Sequence, residues 1–184
     1  MVNLINFVFR LKIGAMKNYL LLCFCFLSFQ YTLLQAQNPC NSTNHAQFDF
    51  WLGDWEVYHT QADTIVGHNT IERILNGCVV QENWTGATGF KGKSLNTFSP
   101  IDTTWNQIWV DVSGATYHFK GEWESGAMKM KGQTIGGNGQ TILFEMSYTP
   151  DKETSNIRQL WKQSTDSGEN WIVIFDGIYK KKNK

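Results

Sequence analysis

Proline and charge are both scarce in this sequence. Its 184 residues include only three prolines, and charged residues make up 17% of the chain. Aromatic residues reach 14%, with eight tryptophans. A chain this rich in aromatic residues buries a core, which excludes an intrinsically disordered or collagen-like protein. The length is that of a single domain.

Clustered basic residues are missing from the body of the chain. Residues 1–36 hold three basic residues and no acid, and four further lysines lie within residues 180–184. The stretch between them has nine basic and 16 acidic residues, a net charge of −7. Binding to nucleic acid depends on clustered cations that displace counterions from the phosphates. We therefore expect no nucleic-acid partner.

The sequence also lacks the common catalytic and metal-binding motifs. It has no G-x-S-x-G, H-E-x-x-H or C-x-x-C motif, and no glycine-rich loop precedes a long helix. Its histidines and acids do not follow the spacing of metal ligands. We therefore predict no metal site, and a non-enzymatic role is favoured over an enzymatic one.

A single long apolar run lies near the start. It spans residues 19–27, follows Lys17 and leads towards the small residue Ala36. This order is typical of a secretory signal peptide, which we place at residues 1–36, with translation expected to begin at Met16. The alternative is an uncleaved anchor, which Ser28 and Gln30 disfavour by interrupting the run. We predict an exported protein, periplasmic or extracellular, without stable membrane insertion after cleavage.

Two cysteines, Cys40 and Cys78, follow the predicted signal peptide. In an oxidising compartment such a pair favours a disulfide, which would join the N-terminal segment to a strand. Two buried free thiols are the alternative.

Turn residues recur every ten to twelve positions and separate alternating runs. Tyr117, Phe119 and Trp123, for example, alternate with polar side chains. This pattern predicts an all-β protein, a single antiparallel up-and-down β-barrel of about ten strands. A short helix is predicted near 44–51, capped by Ser42, Thr43 or Asn44. The predicted strands are 54–61, 65–76, 78–87, 91–99, 104–113, 115–124, 127–135, 140–149, 156–165 and 169–179. The corresponding regions are an N-terminal segment at 37–52, a barrel at 53–180 and a basic tail at 181–184.

One turn has a recognisable pattern. Ser164, Asp166, Gly168 and Trp171 form S-x-D-x-G-x-x-W, which resembles the Asp-box turn of sialidase-like propellers. A propeller needs several copies, and the sequence has one. We therefore expect Asp166, Gly168 and Trp171 to be structural.

The residues F-D-F-W-L-G-D-W-E-V at 48–57 resemble the opening of an uncharacterised family of exported bacterial domains with a lipocalin-like, calycin-type barrel. Further similarities at 71–78, 81–84 and 175–179 extend the match over most of residues 45–180. Gly53 and Trp55 are similar to the G-x-W of lipocalins, in which the tryptophan closes one barrel end. The resemblance implies the barrel and a structural role for these two residues, without implying an activity.

The resemblance extends more distantly to nitrobindin-like haem barrels. Those proteins hold haem through a histidine late in the barrel, whereas no histidine follows His118 in this chain. The alternation places His118 on the face of Lys120 and Glu122, where we expect it to be exposed. We therefore expect no haem and no other cofactor.

Some predicted strands carry tryptophan and polar side chains on one face, which is typical of a ligand cavity. The predicted ligand-binding residues are Glu82, Trp84, Gln107, Trp109, Asp111, Gln159, Trp161 and Gln163. The alternative is that Ile108, Val110 and Val112 face the core and the tryptophans lie outside, because neighbouring residues of a strand face opposite sides.

We therefore predict an exported, non-enzymatic barrel that binds a small hydrophobic or amphipathic ligand in its lumen. One alternative is a carbohydrate-handling module, or a hydrolase or isomerase using Glu82 and Asp111 as paired carboxylates. A third is an outer-membrane β-barrel, which long alternating strands also suit and which the terminal Lys-Asn-Lys disfavours.

Overall fold

The computed structural model describes residues 39–182. The predicted signal peptide at 1–36 and the expected start at Met16 lie outside the described residues, as do residues 183 and 184. Between residues 39 and 182, none of the helices has the length and apolar character needed to cross a membrane.

Ten antiparallel strands follow one another around a closed barrel, which confirms the predicted fold class. Each strand pairs with its neighbours in the chain, and β1 pairs with both β2 and β10, which closes the cylinder. The strands are β1 (Gly53–His59), β2 (Ile65–Ile74), β3 (Val79–Gly86), β4 (Lys91–Ser99), β5 (Thr104–Asp111), β6 (Thr116–Glu124), β7 (Ala127–Ile135), β8 (Thr141–Pro150), β9 (Ile157–Ser164) and β10 (Ile172–Lys181).

The alternation of side chains determines which residues face the interior. Along β4, Ser94 and Asn96 are buried, whereas Lys91, Lys93 and Leu95 are exposed. Successive side chains of a strand point to opposite faces, so the small and polar residues of β4 lie inside the barrel.

Most predicted strands begin or end one to three residues away from the observed bounds, and three of these differences have a local structural cause. β2 ends at Ile74 because Leu75–Gly77 forms a short 3₁₀ turn, in which Asn76 has a left-handed φ of 55°. β10 begins at Ile172 because the preceding turn continues to Trp171. At its other end β10 includes Lys181, which pairs with Trp55, so the sheet extends one residue into the predicted basic tail.

The turn between β9 and β10 is held by its own side chains. The Ser164 hydroxyl accepts a hydrogen bond from the Gly168 N–H, and Asp166 Oδ1 accepts one from the Asn170 N–H at 2.9 Å. Hydrogen bonds from the Asn170 N–H, which contributes most, from the Ser164 hydroxyl and from the Asn170 side-chain amide lower the pKa of Asp166 to about 2. Gly168 has a φ of 92°, which favours glycine. The indole N–H of Trp171 donates to the Gly168 carbonyl, so every residue of the motif stabilises the turn.

A 3₁₀ helix at His45–Trp51 closes one end of the barrel. It was predicted as a short helix. Asn44 is its N-cap residue and makes no side-chain capping bond, while the Ser42 hydroxyl accepts the His45 N–H at 3.3 Å. Phe48 and Trp51 are fully buried, and both rings contact Tyr148. The helix therefore fills the half of the barrel nearest to it, which we call the packed half.

Two links fasten this helix to the strands. The predicted disulfide between Cys40 and Cys78 is confirmed, with the two Cα atoms 4.9 Å apart. Arg73 on β2 forms an ion pair with Asp49 and donates to the backbone carbonyls of His45 and Gly77. The N-terminal segment is thus joined to the β2–β3 connection by a covalent bond and by the Arg73 side chain.

Candidate ligand-binding cavity

The other half of the barrel, which we call the open half, contains a cavity of about 500 Å³. Its rim lies near Gly86, Thr88 and Phe90, at the turn between β3 and β4. Ligand cavities usually measure about 300–1,000 Å³, so this one is large enough for a small organic molecule.

Most of the predicted ligand-binding residues line this cavity. They are Glu82, Trp84, Gln107, Trp109, Asp111, Gln159 and Trp161. In contrast, Ile108, Val110 and Val112 are exposed on the outer surface, so the alternative orientation of β5 is not observed. Gln163 does not line the cavity. It follows Trp161 on β9, opposite Phe144, and lies closer to the turn that holds Asp166.

Two glycines leave room for tryptophan side chains against the wall. A Cβ atom on Gly67 would overlap the indole of Trp84, and one on Gly92 would overlap the indole of Trp109. Because these positions lack a side chain, both indoles lie against the neighbouring strand. The middle of the open half therefore stays empty.

Further aromatic rings complete the wall. Trp84 meets Phe175 edge to face, with ring centroids 5.7 Å apart. Trp161 meets Tyr117 and Phe119 in the same manner, at 5.3 and 5.5 Å. Edge-to-face contacts hold aromatic rings in defined positions, so the wall is apolar and well ordered.

A closed ring of hydrogen bonds, which we call the polar belt, runs around the interior at the floor of the cavity. Glu82 accepts hydrogen bonds from Asn69 at 2.6 Å and from the Ser94 hydroxyl at 2.7 Å. Asn96 donates to the Ser94 hydroxyl and accepts from Gln107 at 2.8 Å. This arc of the belt joins β2, β3, β4 and β5.

The second arc of the belt returns through two tyrosines. The Tyr148 hydroxyl accepts hydrogen bonds from the side-chain amides of Gln107 and Gln159, at 3.1 and 3.2 Å. Tyr179 donates to the Gln159 carbonyl oxygen and accepts from Asn69 at 3.1 Å. Among residues 39–182 the Tyr148 hydroxyl accepts these two bonds and donates to no side chain, so its proton is available to an acceptor in the cavity.

Glu82 is the acidic side chain that is buried among residues 39–182. It is 3% exposed, and burial raises its pKa from 4.5 to about 7, against the effect of the bonds from Asn69 and Ser94. Burial, together with the charge of Glu82, also raises the pKa of Tyr148 and Tyr179 well above their usual value. At neutral pH the floor therefore has one carboxyl group that is easily protonated and two neutral hydroxyls.

The raised pKa of Glu82 predicts how stability depends on pH. Since the folded protein binds this proton more tightly than the unfolded chain, stability falls as the pH rises from about 4.5 to about 7. The loss attributable to Glu82 is about 3 kcal/mol. Glutamine does not titrate, so we expect Glu82→Gln to lack this loss. The free energy of unfolding of the variant minus that of the native protein should therefore be larger at about pH 8 than at about pH 4.

Urea unfolding at the two pH values checks this prediction. The control is Glu122→Gln, which alters an exposed carboxylate on the outer face of β6. Parallel pH profiles for the native protein and Glu82→Gln would contradict it.

The two candidate catalytic carboxylates, Glu82 and Asp111, form hydrogen bonds with different groups. Asp111 Oδ1 accepts hydrogen bonds from the backbone N–H and the hydroxyl of Ser113, within its own turn. Glu82 instead belongs to the polar belt, so the structure does not join the two as a hydrogen-bonded pair.

The described histidines do not fit a haem site. His118 is exposed on β6, as its parity predicted, and His45 bonds to Ser42 beside the helix. Neither these two nor His59 or His68 lines the cavity, so residues 39–182 offer it no axial imidazole. The same part of the chain also contains no group of three or more metal-binding side chains.

Sequence reasoning missed part of the belt, namely Asn69, Ser94, Asn96, Tyr148 and Tyr179. Ser94 and Asn96 alternate with exposed residues on β4, and this alternation was available from the sequence. Tyr148 and Tyr179 gave no comparable signal, since tyrosine is common in strands whether its hydroxyl joins a polar network or its ring packs in a core.

No family model matches the chain, and no curated protein matches it either. The closed ten-stranded antiparallel barrel is consistent with the lipocalin-like fold that the resemblance implies, whereas membership of the particular exported family remains a prediction.

Proposed function

We propose that this protein binds a small amphipathic molecule in the open half of its barrel and that it acts as a binding protein without catalysis. The observation that carries this proposal is the cavity above the polar belt, since the packed half of the same barrel is filled by Phe48, Trp51 and Trp105. The ligand's apolar body would lie between the aromatic walls. Its polar group would reach the carboxylate of Glu82 and the hydroxyl proton of Tyr148.

Export to an oxidising compartment is part of the proposal. The disulfide between Cys40 and Cys78 supports it, because such bonds persist mainly in secreted and periplasmic proteins.

Binding in the lumen can be tested with N-phenylnaphthylamine, a neutral probe that fluoresces more strongly in apolar surroundings. We expect saturable binding to the purified full-length chain. The variant Gly92→Ala should weaken binding by about tenfold or more, because the new methyl group displaces the Trp109 indole into the cavity. Gly137→Ala is the matched control, since a Cβ there meets nothing within 4 Å.

Equal binding by the two alanine variants would contradict a lumenal site. Native mass spectrometry of the purified chain adds a second measurement, in which a co-purifying small molecule that Gly92→Ala fails to retain supports the proposal.

A further inference from the structure

The charged side chains that line the cavity are all acidic. Two carboxylates, Glu82 and Asp111, line it, and none of the residues described as lining it is lysine, arginine or histidine. Lys91 and Lys93 on β4, which follow the turn at the rim, are both exposed on the outer face. No basic residue occurs in the five turns at this end of the barrel, residues 60–64, 87–90, 112–115, 136–140 and 165–171. An anionic ligand would therefore find no positive charge in the cavity.

The aromatic wall of the cavity also favours a positively charged ligand. Half of the residues that line the cavity are aromatic, among them Trp84, Trp109, Trp161 and Phe175. The face of an aromatic ring is negative, and tryptophan attracts organic cations most strongly. Aromatic rings grouped with one or two carboxylates are the arrangement that recognises alkylammonium groups.

Glu82 provides a specific position for such a cation. Each of its oxygens accepts one hydrogen bond, from Asn69 and from Ser94, and a carboxylate oxygen can accept two. No cation pairs with it among residues 39–182. Burial without a counter-ion is unfavourable for a carboxylate, and an ammonium group entering the cavity would supply the missing charge.

We propose that the ligand is an organic cation, an amine with an aromatic or alicyclic body, and that its ammonium group binds to Glu82 at the floor of the cavity. This inference rests on the proposed function and names the chemical class of the ligand. It excludes fatty acids and other anionic amphiphiles, for which the cavity offers hydrogen-bond donors but no cation.

Three probes of nearly equal shape test this inference: naphthylethylamine, naphthylethanol and naphthylacetate. They carry a positive, a neutral and a negative polar group on the same apolar body. By isothermal titration calorimetry with the full-length chain at about pH 8, the amine should bind at least tenfold more tightly than the alcohol, and the acetate most weakly.

The variant Glu82→Gln tests whether Glu82 is responsible for the preference for the amine. Glutamine keeps an acceptor for Asn69 and places an N–H beside the Ser94 oxygen, so the belt is preserved. The amine should lose about tenfold in affinity, whereas the alcohol should change by less than about twofold and so reports that the variant is folded. The control Glu122→Gln removes an exposed carboxylate and should leave all three affinities unchanged.

The outcomes separate the two proposals. If the alcohol or the acetate binds as tightly as the amine, or if Glu82→Gln keeps the preference for the amine, the ligand class is wrong and lumenal binding still stands. If none of the three binds and N-phenylnaphthylamine also fails to bind, both proposals are contradicted.

Discussion

Replacing Trp51 with alanine is expected to lower the free energy of unfolding by about 3–5 kcal/mol. Trp51 is fully buried at the end of the 3₁₀ helix, where its ring lies 4.6 Å from that of Tyr148 and 5.5 Å from that of Phe48. Truncation would leave a hole at the closed end that a rigid barrel cannot fill by collapse. Its indole N–H has no hydrogen-bond partner within the described chain, so the loss is one of packing.

Equilibrium urea unfolding measures this effect. Phe90→Ala is a suitable comparison, because Phe90 is an aromatic residue at the opposite, open end and is 41% exposed. We expect a loss below about 1 kcal/mol for Phe90→Ala, as the side chain already contacts water. Similar losses for the two variants would show that the helix does not close the barrel.

Removing the disulfide should have an effect of similar size. The bond between Cys40 and Cys78 closes a loop with a sequence separation of 38 residues. In the chain-entropy model, such a loop contributes about 4 kcal/mol by restricting the unfolded chain. We therefore expect the double variant Cys40→Ser and Cys78→Ser to lose about this amount.

The reducing agent dithiothreitol supplies the control for this prediction. It should destabilise the native protein to the level of the double variant and leave the double variant unchanged. A loss below about 1 kcal/mol in both experiments would mean that Arg73, through Asp49 and the His45 carbonyl, is sufficient to hold the helix.

The two halves of the barrel have separate roles in this account. The packed half contains the helix and most of the core, so it stabilises the cylinder. The open half contains little but its aromatic walls, and the polar belt separates the two. Each member of the belt makes at least two hydrogen bonds within it, which restrains the strands against one another. Asn69 Oδ1 is the belt's one buried atom without a partner among the described residues. The belt also presents polar groups at a fixed depth, which suits recognition of one end of a ligand.

The number of strands was predictable because it depends on local patterns. Turn residues at regular intervals and the alternation along β6 are properties of short segments, and each segment carries its own signal. The boundary at Ile172 was not predictable from alternation, since the turn around Asp166 overrides the extended pattern that follows it.

The cavity was predictable only in part, because parity shows which face of a strand is inside but not what lies across the barrel. Gln107 and Trp109 share a face with Trp105, yet Trp105 belongs to the packed half. How far the 3₁₀ helix extends into the barrel determines which residues lie in the packed half and which lie in the open half. The bond between Gln107 and Tyr148 likewise joins residues 41 positions apart, and it depends on the register of the closed cylinder.

The most direct test of the account is a crystal structure of the protein with N-phenylnaphthylamine. We expect the aromatic rings of the probe within the open half, between Trp84, Trp109 and Trp161, with its amine nitrogen towards the polar belt. A structure in which these tryptophans fill the lumen and the probe lies on the outer face, or is absent, would contradict it.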